Sequence, residues 1–415
     1  MSFVYPAISP CPAIDARTRI MGLHRLLPMA YHGEDMAPLW AERLTRVDAD
    51  ADDAAALMDM SLMLQCLGRT DEALALMAEA LRVQRDFCVV HGDGSGLRLL
   101  AFVTPGDLMA NTPIDFLING SNTVLWLRYV DAETRALDNL PEHDVAFMAI
   151  GEANGHAAVL ARMAALLGDC PQPVMNADPA MIARLTRDGV SAMLADEPAL
   201  LAPRTHRFPR AALTAIAAGE ATFGADLAFP VIVRPIGTHA GHGMARIEGP
   251  APLADYLAGA PATDFYVAPF IDYRGADGLF NKQRIVFIDG QPFASHMALS
   301  THWMVHYVNA DMIGDAGKRA IEADWMARFD SDFALRHAAA FAALHRRIGL
   351  DYFGIDCAEM PDGRLLVFEL DVAMVVHDMD DPVVFPYKLP AMAKLFAAFV
   401  AAARRRATLA LVPAA

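Results

Sequence analysis

Cysteine is scarce in this sequence and is scattered along it. The five cysteines are odd in number and form no CxxC pair; they are Cys11, Cys66, Cys88, Cys170 and Cys357. A disulfide framework needs paired cysteines, and a thiolate zinc site needs them at close spacing. The distribution therefore predicts reduced thiols and a cytoplasmic protein.

Long apolar runs and positive charge are also missing. No stretch reaches the length that a membrane-spanning helix needs, and MSFVYPAISPCPAID has neither the charged start nor the apolar core of a signal peptide. The net charge is −16, and ARRRA near the C-terminus is the one locally basic stretch. We therefore expect neither membrane insertion nor general nucleic-acid binding.

Apolar material is plentiful: 415 residues with 55% apolar side chains allow two or three domains with sizeable cores. Residues 1–35 predict a loosely structured lead-in. Residues 36–90 carry Ala, Leu and Met at helical spacing. Within them, LMLQCLGRTDEALALMAEALRV resembles one tetratricopeptide repeat, with Gly68 at the inter-helix turn and Ala73 and Ala80 where the helices touch.

A single repeat cannot bury its own apolar face. It must pack on the next domain, on a second subunit in a homodimer, or on less regular helices beside it. An ordinary helical hairpin and a module that binds a protein partner both fit this stretch.

Strands and helices alternate over residues 97–207. The runs LRLLAFVTP and VAFMAIG predict buried strands, and helices are predicted in ANGHAAVLARMAALLGD and after PVMNADP. This order predicts an α/β domain with a parallel sheet. Ligands bind at the C-terminal ends of such strands, so residues 151–154 are predicted to line a crevice. No GxGxxG occurs, so we do not predict a dinucleotide fold.

Two β-rich segments follow, over residues 208–270 and 271–410. In the first, FPVIVRP and ARIEG flank a glycine-rich tip with Gly237, Gly241 and Gly243. This pattern predicts a hairpin whose backbone can approach phosphate, with a plain flexible loop as the alternative. DFYVAPFID predicts another strand.

In the second segment, QRIVFIDGQPFASHMAL predicts a hairpin turned by Asp289-Gly290. Arg284 stands in its apolar first strand and needs an anion or an acidic partner there. Helices are predicted over residues 325–348 and 389–406.

The stretch FGIDCAEMPDGRLLVFELD, residues 353–371, carries three carboxylates. A two-residue turn at Asp362-Gly363 would set Asp356 opposite Glu369, with Asp371 on the same face. The opposite, core-facing side would carry Ile355, Cys357, Leu366, Phe368 and Leu370. Opposed carboxylates repel unless a cation lies between them, and oxygen ligands suit Mg²⁺. The alternative is a solvated strand face.

The order of these pieces resembles the ATP-grasp superfamily of carboxylate–amine ligases, such as glutathione synthetase and D-alanine–D-alanine ligase. The resemblance covers residues 145–396. It implies an α/β and α+β architecture: a pre-grasp α/β domain and two β-rich grasp lobes, here preceded by the helical region. The family's metal pattern, an Asp, a Glu thirteen residues on and then x-Asn, falls on Asp356, Glu369 and Asp371, with Asp in place of Asn.

The resemblance also implies ATP and Mg²⁺ as cofactors. The glycine-rich hairpin would cover the phosphates, and Arg187 and Arg234 take positions where the family usually has lysine. FYVAPFID matches the strand that holds adenine. The implied adenine and ribose contacts are Tyr266, Val267, Ala268, Phe270 and Asp272.

The implied activity is ATP-dependent joining of a carboxylate to an amine through an acyl phosphate, with an amino acid, peptide or protein as substrate. Arg284 and Asn309 are the predicted catalytic residues, a turn role being the alternative for Asn309. Substrate contacts are predicted for His302, His306 and His377.

Two other functions remain open at this point. A degenerate nucleotide-binding module could recruit a protein partner through its N-terminal helices, since two usual lysines are arginines. A metal-dependent hydrolase could use His302 and His306, which have the i, i+4 spacing of a helical metal pair but no HExxH sequence.

Overall fold

The structure is a computed structural model that describes residues 14–238 and 241–409. The chain forms two compact units. Unit 1 comprises Met1–Ala183, Leu350–Phe353 and Val372–Ala415, and unit 2 comprises Arg184–Gly349 and Gly354–Asp371.

Unit 1 combines helices with one sheet. Its helices are α1 (Leu23–Tyr31), α2 (Ala37–Ala49), α3 (Ala54–Cys66), α4 (Thr70–Val83), α5 (Ile114–Leu117), α6 (Ala157–Leu166), α7 (Pro179–Ile182) and α14 (Lys388–Leu409). Its strands are β1 (Asp86–Val90), β2 (Arg98–Val103), β3 (Val124–Tyr129), β4 (Val145–Met148) and β5 (Val174–Met175).

The sheet of unit 1 has the order β1-β3-β2-β4-β5. Strands β3, β2, β4 and β5 run parallel, as the sequence predicts, and β1 joins antiparallel to β3 at one edge. The central strands are buried along nearly their whole length, which suits the apolar runs that form them. The edge strand β1 and its neighbour β3 were not predicted.

Helices α3 and α4 form the predicted hairpin in the N-terminal region. Gly68 has a φ of 74° at the turn, and Ala73 and Ala80 are fully buried where the helices meet. Every residue of α3 except its last is buried, so this helix is an interior part of unit 1. The helical hairpin is confirmed, whereas the tetratricopeptide assignment is not.

The predicted loosely structured lead-in contains a regular helix. Helix α1 lies within residues 1–35 and packs against α3 and α5, with Leu26 fully buried. The prediction was therefore wrong for this part, because tertiary packing stabilises a short helix that contains a proline. Residues 1–13 of the lead-in lie outside the described residues.

Unit 2 contains two β-rich lobes and six helices within the described residues. The helices are α8 (Arg187–Leu194), α9 (Arg210–Ala217), α10 (Pro250–Gly259), α11 (Ala316–Arg328), α12 (Phe333–Arg336) and α13 (Ala338–Ile348). The strands are β6 (Leu200–Leu201), β7 (His206–Pro209), β8 (Val231–Pro235), β9 (Ala245–Ile247), β10 (Asp264–Pro269), β11 (Phe280–Ile288), β12 (Gln291–Ser300), β13 (Tyr352–Glu359) and β14 (Leu365–Asp371).

The first lobe is a four-stranded antiparallel sheet in the order β7-β10-β8-β9. Its core joins α9 and α10 to the sheet through Leu213, Leu253, Val233 and Phe265, each fully buried. The strands predicted in FPVIVRP, ARIEG and DFYVAPFID all form here.

The second lobe is a five-stranded sheet in the order β12-β11-β13-β14-β6, in which β6 pairs in parallel with β14. The hairpin of β11 and β12 turns at Asp289-Gly290, where both φ angles are positive, as a type I′ turn requires. The single helix predicted over residues 325–348 is instead divided among α11, α12 and α13.

The fold class expected from the sequence is confirmed: helices first, then an α/β sheet, then two β-rich lobes. These are the parts expected of an ATP-grasp fold. None of the described helices combines the length and the apolarity needed to cross a membrane.

Candidate active site

The hairpin of β13 and β14 places the acidic residues. Asp356 lies directly across from Glu369, and Asp371 lies across from Gly354, as the sequence predicts. The turn, however, has three residues, 361–363, because Met360 donates its N–H to the carbonyl of Arg364 at 2.9 Å. The two-residue turn was therefore wrong.

A bulge restores the predicted pairing of the acids. Cys357 pairs with Val367, and the next pair is Asp356 with Glu369, so Phe368 is the extra residue. Leu366 pairs with Ala358 and thus shares the face of Asp356, not the opposite face where it was predicted.

Asp356 is held by two cations in the interior of unit 2. Its side chain is 2% exposed; Lys282 Nζ lies 2.6 Å from Oδ2, and Arg284 Nε lies 2.8 Å from Oδ1. Burial raises the pKa of this carboxyl, but the charges of Arg284 and Lys282 outweigh burial and lower the pKa below its usual range. The predicted acidic partner of Arg284 is therefore Asp356.

Glu369 has its own cationic partner. Arg187, at the start of α8, places Nη2 2.6 Å from Glu369 Oε1, and its Nη1 donates to the carbonyl of Phe368 at 3.4 Å. Burial raises the pKa of Glu369, but the charges of Arg187, Arg234 and Lys282 together outweigh burial, so the net shift is downward. Asp371, the last residue of β14, is partly buried.

Arg234 is the most buried cation of the site. It lies on β8, is 6% exposed, and donates from Nη2 to the carbonyl of Thr238, while its Nε has no hydrogen-bond partner among the described residues. Burial and the nearby Arg187 charge lower the pKa of Arg234 to about 10. Arg234 and Arg187 therefore belong to one electrostatic cluster with Glu369.

The glycine-rich tip follows β8. Gly237, Gly241 and Gly243 all have positive φ, at 82°, 73° and 67°. A Cβ at Gly241 would collide with His306 Nε2, so glycine permits this close approach. His239 and Ala240 lie outside the described residues.

Strand β10 carries the residues predicted to hold adenine. Tyr266 and Val267 pair with β7 on one side and β8 on the other, so their backbone groups face neighbouring strands on both sides. Ala268 pairs with β8 alone, and the N–H of Phe270 donates to the carbonyl of Pro230 at 3.0 Å. On the side of β10 that pairs with β7, no strand of the described residues pairs beyond Val267.

Asp272 lies in the exposed segment after β10. It accepts hydrogen bonds from Arg274 Nε, at 2.9 Å and 3.1 Å to its two carboxylate oxygens. This contact lowers the pKa of Asp272. Its predicted role at ribose or adenine stays a prediction.

His302 and His306 do not form a helical pair, so the i, i+4 interpretation was wrong. The chain bends through residues 301–304, and a 3-10 turn begins at Tyr307. His302 is exposed, and its Nδ1 accepts from the N–H of Met304 at 3.2 Å. His306 is half-buried; burial, with the charge of Lys282, lowers its pKa. His306 Nε2 has no hydrogen-bond partner among the described residues.

Asn309 acts locally as a cap of the 3-10 turn. Its Oδ1 accepts from the N–H of His306 at 2.9 Å, which corresponds to the turn role considered from the sequence. His377 belongs to unit 1, where its Nδ1 accepts from the N–H of Met379 at 3.2 Å and its ring lies 6.5 Å from that of Tyr31. The structure therefore groups His306 with the acidic cluster of unit 2. The predicted substrate contact of His377 stays a prediction.

Lys282 was missed by the sequence analysis. It stands two residues before Arg284 on β11, so both side chains point to the same face of the strand. Two cations at alternate positions of a largely buried strand predict an acidic partner, and this signal is visible in the sequence NKQR.

No family model and no curated protein matches the chain. Among solved structures it is similar to a RimK domain ATP-grasp protein from Sphaerobacter thermophilus, at 18% identity over 73% of this chain and 99% of that one, with a TM-score of 0.40. It is also similar to D-alanine–D-alanine ligase from Bacillus anthracis complexed with ATP, at 12% identity over 75% and 99%, with a TM-score of 0.44. The corresponding ligase from Coxiella burnetii has 10% identity over 76% and 97%, with a TM-score of 0.45.

Proposed function

We propose that this protein is an ATP-dependent ligase that activates a carboxylate and joins it to an amine. The observation that carries the proposal is the buried ionic cluster of unit 2. In it, the opposed acids Asp356 and Glu369 are matched by Lys282, Arg284 and Arg187. Charged groups with strongly shifted pKa values cluster at functional sites, and phosphoryl transfer depends on cationic side chains and metal ions around the transferred group.

The cations of the cluster suit a polyphosphate. Arg234 is nearly buried and its Nε has no partner among the described residues, so it can donate to an incoming phosphate oxygen. Placing a polyanion beside Arg234 and Arg187 would also relieve their mutual repulsion, which contributes to the lowered pKa of Arg234. The glycine tip that follows β8 presents backbone close to this arginine.

The acids suit a hard divalent cation. Asp356, Glu369 and Asp371 offer only oxygen ligands, as Mg²⁺ prefers, and a bound Mg²⁺ would neutralise phosphate charge. In the structure both oxygens of Asp356 contact cations. We infer that Lys282 and Arg284 turn to phosphate oxygens when nucleotide binds, which frees Asp356 for the metal.

In the proposed reaction a substrate carboxylate attacks the γ-phosphorus of ATP, giving an acyl phosphate and ADP. An amine then attacks the acyl carbon, inorganic phosphate leaves, and an amide forms. The protein contributes positioning and charge neutralisation, with Arg284 and Lys282 beside the transferred group. An amino acid, a peptide or a protein is the proposed substrate class.

A nucleotide-binding module without catalysis is the second candidate. The complete pairing of Asp356 with Lys282 and Arg284 favours it, because a site balanced in this way is stable without a metal. The two functions predict different responses to ATP and substrates.

The test is ADP release with Mg²⁺-ATP against a panel of amino acids, peptides and polyamines, measured together with nucleotide binding. We expect ADP release that requires an added acid and an amine. Glu369→Gln should abolish ADP release. The control Glu359→Gln should retain it, because it removes an acid at the end of β13 that is paired with Arg336 of α12. Nucleotide binding without ADP release for any pair would favour the second candidate. Absence of nucleotide binding would overturn both.

A further inference from the structure

Three side chains of unit 1 bring potential metal ligands together. They are His24, His91 and Asp115, and one ligand atom from each lies within 4.8 Å of the others. His24 is the second residue of α1, His91 follows β1 directly, and Asp115 lies in the short helix α5. The group is thus assembled from three elements that are distant in sequence.

The carboxylate of Asp115 is the centre of the group. His24 Nδ1 lies 3.1 Å from each of its oxygens, and His91 Nε2 lies 2.7 Å from Oδ1. The backbone N–H of His24 also donates to Oδ2 at 2.8 Å. Their side chains are at most 10% exposed, and the two imidazole rings lie 4.1 Å apart.

The backbone is shaped to allow this approach. Gly22 precedes α1 with a φ of 84°, and a Cβ there would lie 2.6 Å from Asp115 Oδ2 and 3.1 Å from His24 Nδ1. Any larger residue would therefore push α1 away from the carboxylate.

A second, independent feature lies beside the group. A cavity of about 80 Å³ is lined by Asp115, Gly22 and Gln65, among others. Gln65 is 7% exposed, and its Oε1 has no hydrogen-bond partner among the described residues. A buried amide oxygen without a donor is costly, so it indicates a donor such as bound water in the cavity.

We propose that His24, His91 and Asp115 bind one transition-metal ion of the zinc type, with water from the adjacent cavity as a further ligand. Two imidazole nitrogens and one carboxylate oxygen form the donor set of zinc sites that keep a position for water. Gln65 lines the same cavity, and its Oε1, which has no partner among the described residues, would accept a hydrogen bond from that water.

Metal binding replaces the imidazole–carboxylate hydrogen bonds by metal bonds from both imidazoles and from Asp115. In the metal-free form, His24 Nδ1 and His91 Nε2 each donate a proton to the Asp115 carboxylate. Each of these two protons must leave its nitrogen, either for the other nitrogen of the ring through water or for the solvent, which frees a lone pair for the ion. The carboxylate and the water bind through lone pairs that they already have, and no oxidant or reductant is needed.

The test uses the full-length protein stripped of metal with a chelator. Added Co²⁺ should produce the visible absorption of a site with a low coordination number. Zn²⁺ should displace the Co²⁺, and one Zn²⁺ per chain should remain bound after dialysis. Asp115→Asn and His91→Gln should each weaken binding by more than about tenfold. The control His32→Gln changes an exposed histidine that follows α1 and should leave binding unchanged.

Two results would overturn the proposal. One is a full-length protein that gives no Co²⁺ absorption and retains no Zn²⁺, which would leave the group as a hydrogen-bond network; this result needs no variant and so does not depend on variant folding. The other is a Co²⁺ signal that survives in His91→Gln but disappears in Glu369→Gln, which would assign the ion to unit 2. Retention of the signal in Glu369→Gln and its loss in His91→Gln is the expected pattern.

Discussion

Lys282 and Asp356 form an ion pair inside unit 2, with Nζ 2.6 Å from Oδ2 and the carboxylate 2% exposed. Arg284 occupies the other carboxylate oxygen. The acid is therefore the common counter-ion of two poorly exposed cations. Its removal would take this counter-ion from both cations, which is costly in a low-dielectric interior.

The first prediction concerns stability without ligands. Asp356→Asn keeps the size of the side chain but removes its charge, so it should lower the free energy of unfolding by about 3–5 kcal/mol. Urea unfolding of the nucleotide-free protein measures this change. The control Asp362→Asn breaks an exposed pair with Arg364 and should leave the free energy of unfolding nearly unchanged. An unchanged or raised stability of Asp356→Asn would contradict the charge balance described here.

The same pair predicts a pH dependence. The pKa of Asp356 is lowered in the folded state, so its stabilisation is complete above the pKa of the unfolded chain and is lost as the pH falls towards the folded value. The difference in stability between the parent and Asp356→Asn should thus be full at pH 7 and narrow below about pH 4. A difference that widens on acidification would show that another group is responsible.

The acidic hairpin shows what sequence can and cannot predict. Strand periodicity located Asp356 opposite Glu369 correctly, although the turn is one residue longer and a bulge at Phe368 compensates. The alternating cations of NKQR indicate that an acidic partner exists, but nothing in that stretch says that the partner is Asp356, on another strand. The identity of the partner is set by the pairing of strands that are distant in sequence.

Packing between distant elements explains the other differences. The sequence of α1 contains a proline and resembles a loop, yet the helix forms against α3 and α5. His24, His91 and Asp115 converge only after that packing. Some strands were predictable because a run of apolar residues is buried whichever strands lie beside it; these are β2, β4, β8 and β10.

The second prediction ranks the proposed metal ligands. Glu369→Gln removes an anionic ligand and leaves Arg187 without its partner, so ATP-dependent ADP release should nearly disappear. Asp371→Asn removes one charge but keeps an oxygen ligand, so it should be milder, with a raised Mg²⁺ requirement. ADP formation across a Mg²⁺ titration measures both. Parent-like activity of Glu369→Gln would reject the ligase proposal.

The third prediction concerns the glycine tip. Gly241→Ala introduces a Cβ that collides with His306 Nε2, whereas Gly219→Ala introduces one at a similar φ, 76°, with nothing within 4 Å. Both variants should lose about 1 kcal/mol of stability from backbone strain. Gly241→Ala alone should raise the KM for ATP, because it displaces the tip or the imidazole beside the ionic cluster. Equal KM values for ATP in the two variants would show that the glycine tip does not contribute to nucleotide binding.

The last prediction concerns the helical N-terminal region. Removing residues 1–90 deletes α1 to α4 and β1, which leaves the edge of β3 unpaired and exposes apolar surface that α3 covers in unit 1. The truncated protein should aggregate, because unpaired strand edges and large apolar patches promote association. Size-exclusion chromatography of the soluble fraction measures this aggregation.

A finer version of the experiment compares Leu64→Ala, at a side chain that is 4% exposed, with Leu67→Ala, at one that is 56% exposed. The first should lose about 2–5 kcal/mol of unfolding free energy, and the second should change little. A soluble, monomeric truncation with the thermal stability of the parent would instead make this region a separable docking module.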